Sequence, residues 1–191
     1  FSIAAVDPIV NEVASGVSQT FYRLSTGSFS AFTAPFTLAS PEGSRTIEFF
    51  SQDNVFNTEV LKSSTVLLDA TAPEAALLSP SASGSGICSV VRGRFPVLGI
   101  ARDAHLRDYQ LEVAVGSSAA SGFTLVSSGT AGVASGTLGT WDAGALSGWQ
   151  TLRLTVTDLV ENASQVNMNV FVGDPGELLS LGNHEMFDLP E

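Results

Sequence analysis

Thr46-Ile47-Glu48-Phe49-Phe50-Ser51-Gln52-Asp53-Asn54-Val55-Phe56-Asn57 decides how this chain is read, because its pattern occurs twice. It aligns without gaps on Thr151-Leu152-Arg153-Leu154-Thr155-Val156-Thr157-Asp158-Leu159-Val160-Glu161-Asn162, at an offset of 105 residues (151 − 46). The same offset relates Asp69 to Asp174, each closing an apolar run, Val66-Leu67-Leu68 and Val170-Phe171-Val172. Matched Thr, Asp, Asn and Asp at constant spacing imply two tandem copies of one module.

Each copy reads as β structure. Leu152, Leu154 and Val156 alternate with Arg153, Thr155 and Thr157, the period of two of a half-buried strand. Ile47 and Phe49 alternate with Glu48 in the same way. The Asp-x-x-x-Asn that follows predicts a turn: Asp accepts backbone N–H bonds and Asn tolerates left-handed backbone. Val166, Met168, Val170 and Val172 then predict the returning antiparallel strand, so that a hairpin closes each copy. Upstream, Phe1 to Val6 ending at Asp7 corresponds to Phe95 to Ala101 ending near Asp103, a strand in both. Phe21-Tyr22-Arg23-Leu24 and Tyr109-Gln110-Leu111-Glu112 supply the next pair, with Tyr22 set against Tyr109. The extra length of the second copy, Gly116 to Gly148, falls in a connection rich in Gly, Ser and Ala.

The expected fold is all-β: two tandem immunoglobulin-like β-sandwiches over residues 1–73 and 74–174, followed by an acidic tail or linker, 175–191. Asp69-Ala70-Thr71-Ala72-Pro73 joins them, and Pro73 makes the linker semi-rigid. Ala76-Leu77-Leu78 and Ile87 to Val91 supply the first strand of domain two. Domain one has no equivalent, since Phe1 already corresponds to the second strand. Three accounts stand open. The chain is cut or processed at Phe1; the strand comes from the tail or a neighbouring copy by strand addition; or the domain leaves an edge bare.

Specific motifs carry a family resemblance. Ala14-Ser15-Gly16-Val17, Tyr22-Arg23-Leu24, Pro35-Phe36-Thr37-Leu38, Glu42-Gly43 and Ser51-Gln52-Asp53-Asn54 resemble a recurrent bacterial extracellular immunoglobulin-like repeat module. Val91-Arg92-Gly93, Gly99-Ile100-Ala101-Arg102-Asp103, Gly136 to Asp142 and Thr151 to Asn162 resemble a companion module of the same multidomain surface proteins. The resemblance implies a secreted or cell-surface bacterial protein in which such modules act as spacers, stalks or adhesive units. Phe56 and Glu161 stand where that family commonly has Gly, so the turn tips depart from its pattern.

Composition narrows the chemistry. With 19 acidic against 8 basic residues and a net charge of −11, the chain lacks the basic stripe that nucleic acid requires. No run of about 18 apolar residues predicts membrane insertion. Two histidines and one cysteine cannot build a Cys/His zinc site alone. Cys88 reads as a small core residue. His105 and His184 have no nucleophile motif beside them, so no catalytic residue is assigned and the chain reads as a non-enzyme.

Asp53 and Asp158 read first as turn caps. The sharper alternative is calcium between the domains, held by Asp69, Asp103, Asp108, Asp158 and Glu161 at one pole, because Ca²⁺ takes six to eight hard oxygen ligands. Asp7, Glu12, Asp53 and Asn57 form the matching set in domain one. Trp141 and Trp149 read as core, with a sugar-stacking face as the alternative. The expected role is a non-catalytic structural or adhesive spacer. The alternatives are a filament subunit joined by strand exchange and a carbohydrate-binding accessory module. Expected partners are neighbouring immunoglobulin-like domains, copies of itself, or a surface glycan or protein ligand.

Overall fold

A computed structural model describes residues 1–9, 14–39, 41–80 and 89–174. The described chain is all-β, with no helix, and divides into two compact units, Phe1–Ala70 and Thr71–Glu191. No helix among the described residues is long and apolar enough to cross a membrane. Cys88, Glu12, His184 and the tail 175–191 lie outside the described residues.

Unit 2 is an immunoglobulin-type sandwich. One sheet runs β10 (Val133–Asp142), β7 (Arg94–Arg102), β5 (Glu74–Ser79). The other runs β6 (Ser89–Val91), β12 (Ala163–Val172), β11 (Gly148–Asp158), β8 (Leu106–Val115), β9 (Thr124–Gly129). The first strand, β5, edges one sheet, and the last, β12, lies in the other between β6 and β11. The period of two in β11 is the reason the sheets stack: Leu152, Leu154 and Val156 are fully buried while Arg153 and Thr155 face outward. They meet Val97, Ala101, Leu138 and Trp141 of the facing sheet in one core. Each buried Leu or Val of this kind contributes about 1.5–3 kcal/mol. The Tyr109 hydroxyl donates across the sandwich to the Leu138 carbonyl at 3.1 Å, which fixes the spacing of the two sheets.

Unit 1 presents one four-stranded sheet of the same plan, with no counterpart of β6 among its described residues: β2 (Ser30–Ala31), β1 (Val17–Leu24), β3 (Gly43–Asp53), β4 (Lys62–Leu68). Its inner face is covered by chain without strand ladders. Phe36 stacks on Tyr22 with ring centroids 4.6 Å apart, and Phe32 meets Tyr22 edge-on at 6.1 Å. Phe1 and Phe36 exchange backbone hydrogen bonds, the Phe1 amino group donating at 2.6 Å and Phe36 N–H at 3.1 Å. Phe1 to Val6, expected as a strand, forms no ladder. Its counterpart β7 is held between β10 and β5, and neither of those ladders has an equivalent among the described residues of unit 1.

The registers define the repeat and correct two sequence-based equivalences, and the strand order corrects one connection. Gly43 and Gly148 open β3 and β11 with φ of +112° and +77°, a left-handed entry that favours glycine at the same place in both units. Val17 pairs with Asp53 and Leu106 with Asp158, so Thr20, not Tyr22, is the counterpart of Tyr109, and Tyr22 is that of Leu111. The offset of 105 does not persist to the closing strand. Thr46 pairs with Thr65 whereas Thr151 pairs with Asn169, so Asp69 corresponds to Gly173, one residue before Asp174. The extra residue lies between Thr58, still bridged to Gln52, and Lys62, paired with Phe49. Finally, Gly116 to Gly148 is not a plain connection. It contains β9 and β10, whose Gly-rich sequence hid them. A Cβ at Gly139 would come within 2.4 Å of the Ser127 side chain, so close approach of β10 to β9 requires that composition.

Candidate functional site

Two features converge at the turn end of each unit: a braced Asp-x-x-x-Asn turn, and in unit 1 a cavity beside it. Asp158 Oδ1 accepts the N–H groups of Val160 (2.9 Å) and Asn162 (2.8 Å), while Oδ2 accepts Asn162 Nδ2 (2.7 Å). Asp53 does the same with Val55 N–H (2.9 Å), Asn57 N–H (2.8 Å) and Asn57 Nδ2 (2.7 Å). The tip residues Phe56 and Glu161 sit at φ of +69° and +73°. Left-handed backbone is therefore adopted by non-glycine residues at both tips, and the carboxylate brace is what holds them there. Asp158 is fully buried and Asp53 half-buried. Desolvation works to raise the Asp53 carboxyl, but hydrogen bonds from the Asn57 side chain and from Asn57 and Val55 N–H outweigh it and hold it below the ordinary carboxylate range.

The turn is tied to the first loop of each unit. Leu159 N–H donates to the His105 carbonyl (2.8 Å), and Asn54 N–H donates to the Gly16 carbonyl (3.1 Å) at the equivalent place. Asp103 Oδ1 accepts His105 N–H (2.7 Å), as Asp7 Oδ2 accepts Gly16 N–H (2.8 Å). The acids of the expected calcium set in unit 2 thus share one end of the sandwich. Asp158 spends both oxygens on its own turn. Asp108 and Glu161 both pair with Arg107, at 3.0 and 3.5 Å, a cation the sequence reading passed over although it adjoins Asp108. Asp69 belongs to unit 1, just beyond β4.

Trp141 is a core residue, only 4% exposed and packed edge-on against Phe95, so it offers no sugar-stacking face. Trp149 is half-buried against Phe171.

Sequence reasoning missed the cavity. It has a volume of about 560 Å³ and is lined by Ile3 to Pro8, Val17, Phe49, Ser51 and the Glu59–Lys62 ion pair, among others. Ser51, one of its walls, belongs to a pair of small residues. Thr20 and Ser51 stand where unit 2 has Tyr109 and Val156, and their hydroxyls bond each other at 3.0 Å instead of filling space. Only the register exposes that substitution.

No family model and no curated protein matches the chain. Among solved structures, the fibronectin(III)-like modules of Clostridium thermocellum CbhA are similar at 13% identity and a TM-score of 0.48, covering 90% of this chain and 82% of that one. A tetra-tandem repeat in the extending region of a large adhesion protein is similar at 18% identity and a TM-score of 0.37, covering 81% of this chain and 41% of that one. The fold assignment rests on the chain's own strand order.

Proposed function

We propose that this chain is a non-catalytic, load-transmitting spacer segment of a secreted or cell-surface bacterial protein. The observation that carries the proposal is the parallel pairing of β6 with β12: Ser89 with Val170, Val90 with Phe171, Val91 with Val172. These strands lie near the entry and the exit of unit 2. Tension along the chain pulls them in opposite directions, so their hydrogen bonds are loaded together in shear instead of opening one at a time. Gly173 N–H donates to the Val91 carbonyl at 3.2 Å, and Arg92 bonds the Gly173 carbonyl at 3.0 Å and pairs with Asp174. A sealed core and turns braced by their own side chains suit a part whose task is to persist under load. Copies of the module and neighbouring immunoglobulin-like domains are the partners this role implies.

Force spectroscopy tests it. The Val91 carbonyl faces β12, so its N–H faces β12 as well, and Val91→Pro deletes that bond from the clamp. Unit 2 is expected to unfold at clearly higher force than unit 1, and Val91→Pro is expected to lower the unit 2 force. Equal forces for the two units, or an unchanged force in the variant, overturns the spacer reading.

Calcium belongs to the proposal through the oxygens of Asp103, Asp108 and Glu161, where the ion would replace Arg107 as counter-charge. An ion that binds only the folded state raises the melting midpoint of unit 2. Equal midpoints in calcium and in chelator retire that part of the proposal.

A further inference from the structure

The outer face of the unit 1 sheet carries three rows of side chains, set by the register of β1 and β3. Gln19 stands opposite Gln52, Phe21 opposite Phe50 and Arg23 opposite Glu48. Successive rows are about 7 Å apart, because every second residue points to the same face. The middle row is aromatic: the Phe21 and Phe50 rings stack with centroids 5.2 Å apart. Phe29, between β1 and β2, stands edge-on to Phe50 at 5.0 Å and is 36% exposed. Arg23 lies over the Phe29 ring at 4.6 Å and pairs with Glu48 at 2.5 Å, so the third row is neutral. The fold does not require the aromatic row. At the same register unit 2 places Gln110 opposite Thr155, and its sheet is the better buried of the two. An outward sheet face is ordinarily polar, as it is there. A contiguous aromatic patch on such a face, rimmed by polar groups, marks an interaction site.

The rims say what fits. Gln19 Nε2 donates to the Thr20 carbonyl and Gln52 Nε2 to Thr58 Oγ1, both at 3.4 Å, long bonds that a ligand hydroxyl can replace. Rings flanked by amides on one side and a neutral ion pair on the other suit a molecule with apolar faces and a hydroxyl edge. A pyranose is such a molecule. Its axial C–H bonds carry partial positive charge and meet the negative face of an aromatic ring. The rows follow one another along the strands, so an extended chain of sugars can engage all three. Charge selects a neutral one. Residues 1–73 hold seven acids against three bases, and Arg23, the cation of this face, is taken by Glu48, so polyanions are repelled. We infer that the outer face of β1 and β3 binds a neutral glycan chain, with sugar rings on the Phe21–Phe50 pair between the Gln19–Gln52 and Arg23–Glu48 rows. This goes beyond the spacer role, which needs no ligand.

Screening the full 191-residue chain against arrayed neutral and anionic oligosaccharides, then titrating the tightest neutral one by calorimetry, tests it. The expected result is binding of a neutral oligosaccharide. Phe21→Gln combined with Phe50→Thr reproduces the pair that unit 2 carries at this register. It is expected to weaken binding about tenfold or more while unit 1 still melts cooperatively. Gln19→Ala, a change outside the core, is expected to weaken binding about fivefold, and it decides the matter if the double variant does not fold. An array on which no neutral oligosaccharide binds overturns the inference, and so does binding that either variant leaves intact. Capture by anionic glycans or anionic vesicles alone also overturns it, as does self-association through this face without glycan binding. None of these results touches the Val91→Pro force measurement, so the two proposals fail separately.

Discussion

The two units share one plan and differ in how they finish it. In the described part of unit 2 thirteen buried hydrophobic residues form one core; in the described part of unit 1 Ile47 alone is buried. Unit 1 instead holds its sheet with aromatic pairs on both faces, Tyr22 on Phe36 inside and Phe21 on Phe50 outside at 5.2 Å. It also leaves Val6, Ile9, Val55, Phe56 and Val60 largely in solvent. What is constant is hydrogen-bonding geometry at the turn, where the two carboxylate braces agree to the tenth of an ångström. A cross-strand ion pair is constant too, with its charges exchanged. Arg23 meets Glu48 in unit 1, and Glu112 meets Arg153 at the same register in unit 2. Each arginine lies over a phenylalanine, Phe29 at 4.6 Å and Phe123 at 3.6 Å. Opposite charges facing each other on adjacent strands are equivalent in either order, so the pair survives the swap.

The contrast can be broken by core truncation. Trp141→Ala should cost unit 2 about 3–5 kcal/mol and lower its melting transition without moving that of unit 1. Ile47→Ala should cost about 2–5 kcal/mol, taken from a unit with little else buried. Its expected outcome is loss of the unit 1 transition at ambient temperature while unit 2 still melts cooperatively. Differential scanning calorimetry reads both. If Ile47→Ala leaves two transitions in place, unit 1 is better sealed than its burial shows.

A smaller effect compares the braces. Asp158→Ala leaves two backbone N–H groups in a part-buried turn without their acceptor and should cost about 1–3 kcal/mol. Asp53→Ala, at an exposed turn, should cost less, and equal losses in chemical denaturation would erase the distinction. The smallest effect is acid sensitivity. The folded-state value of Asp53 lies below its ordinary one, so its contribution is fully present above about pH 4. It is lost as pH falls through the lower folded value. Acid titration of unit 1 should lose this increment below about pH 4, and Asp53→Asn should flatten that limb.

Much of this was legible in the chain itself. Alternation in Leu152 to Thr157 specified a half-buried strand because side chains point to opposite faces at every step. The Asp-x-x-x-Asn turns were legible because their bonds are local, within four residues. The β9 and β10 strands were not, since Gly and Ser there serve close strand approach, a property of the neighbour. Nor was the pairing of Thr20 with Ser51, because two tyrosines suggested a false equivalence that only hydrogen-bond register could correct. The acids of the expected calcium set were legible as charges, but Arg107 and the Asp158 turn bonds belong to the folded end of unit 2. Sequence alone determined the repeat, the β class and the turns, all fixed by short-range chemistry. Tertiary structure alone decided where the core lies and where it is missing, because a cavity exists only between segments distant in the chain: here Ile3 to Pro8, Phe49 to Asp53 and Asn57 to Lys62.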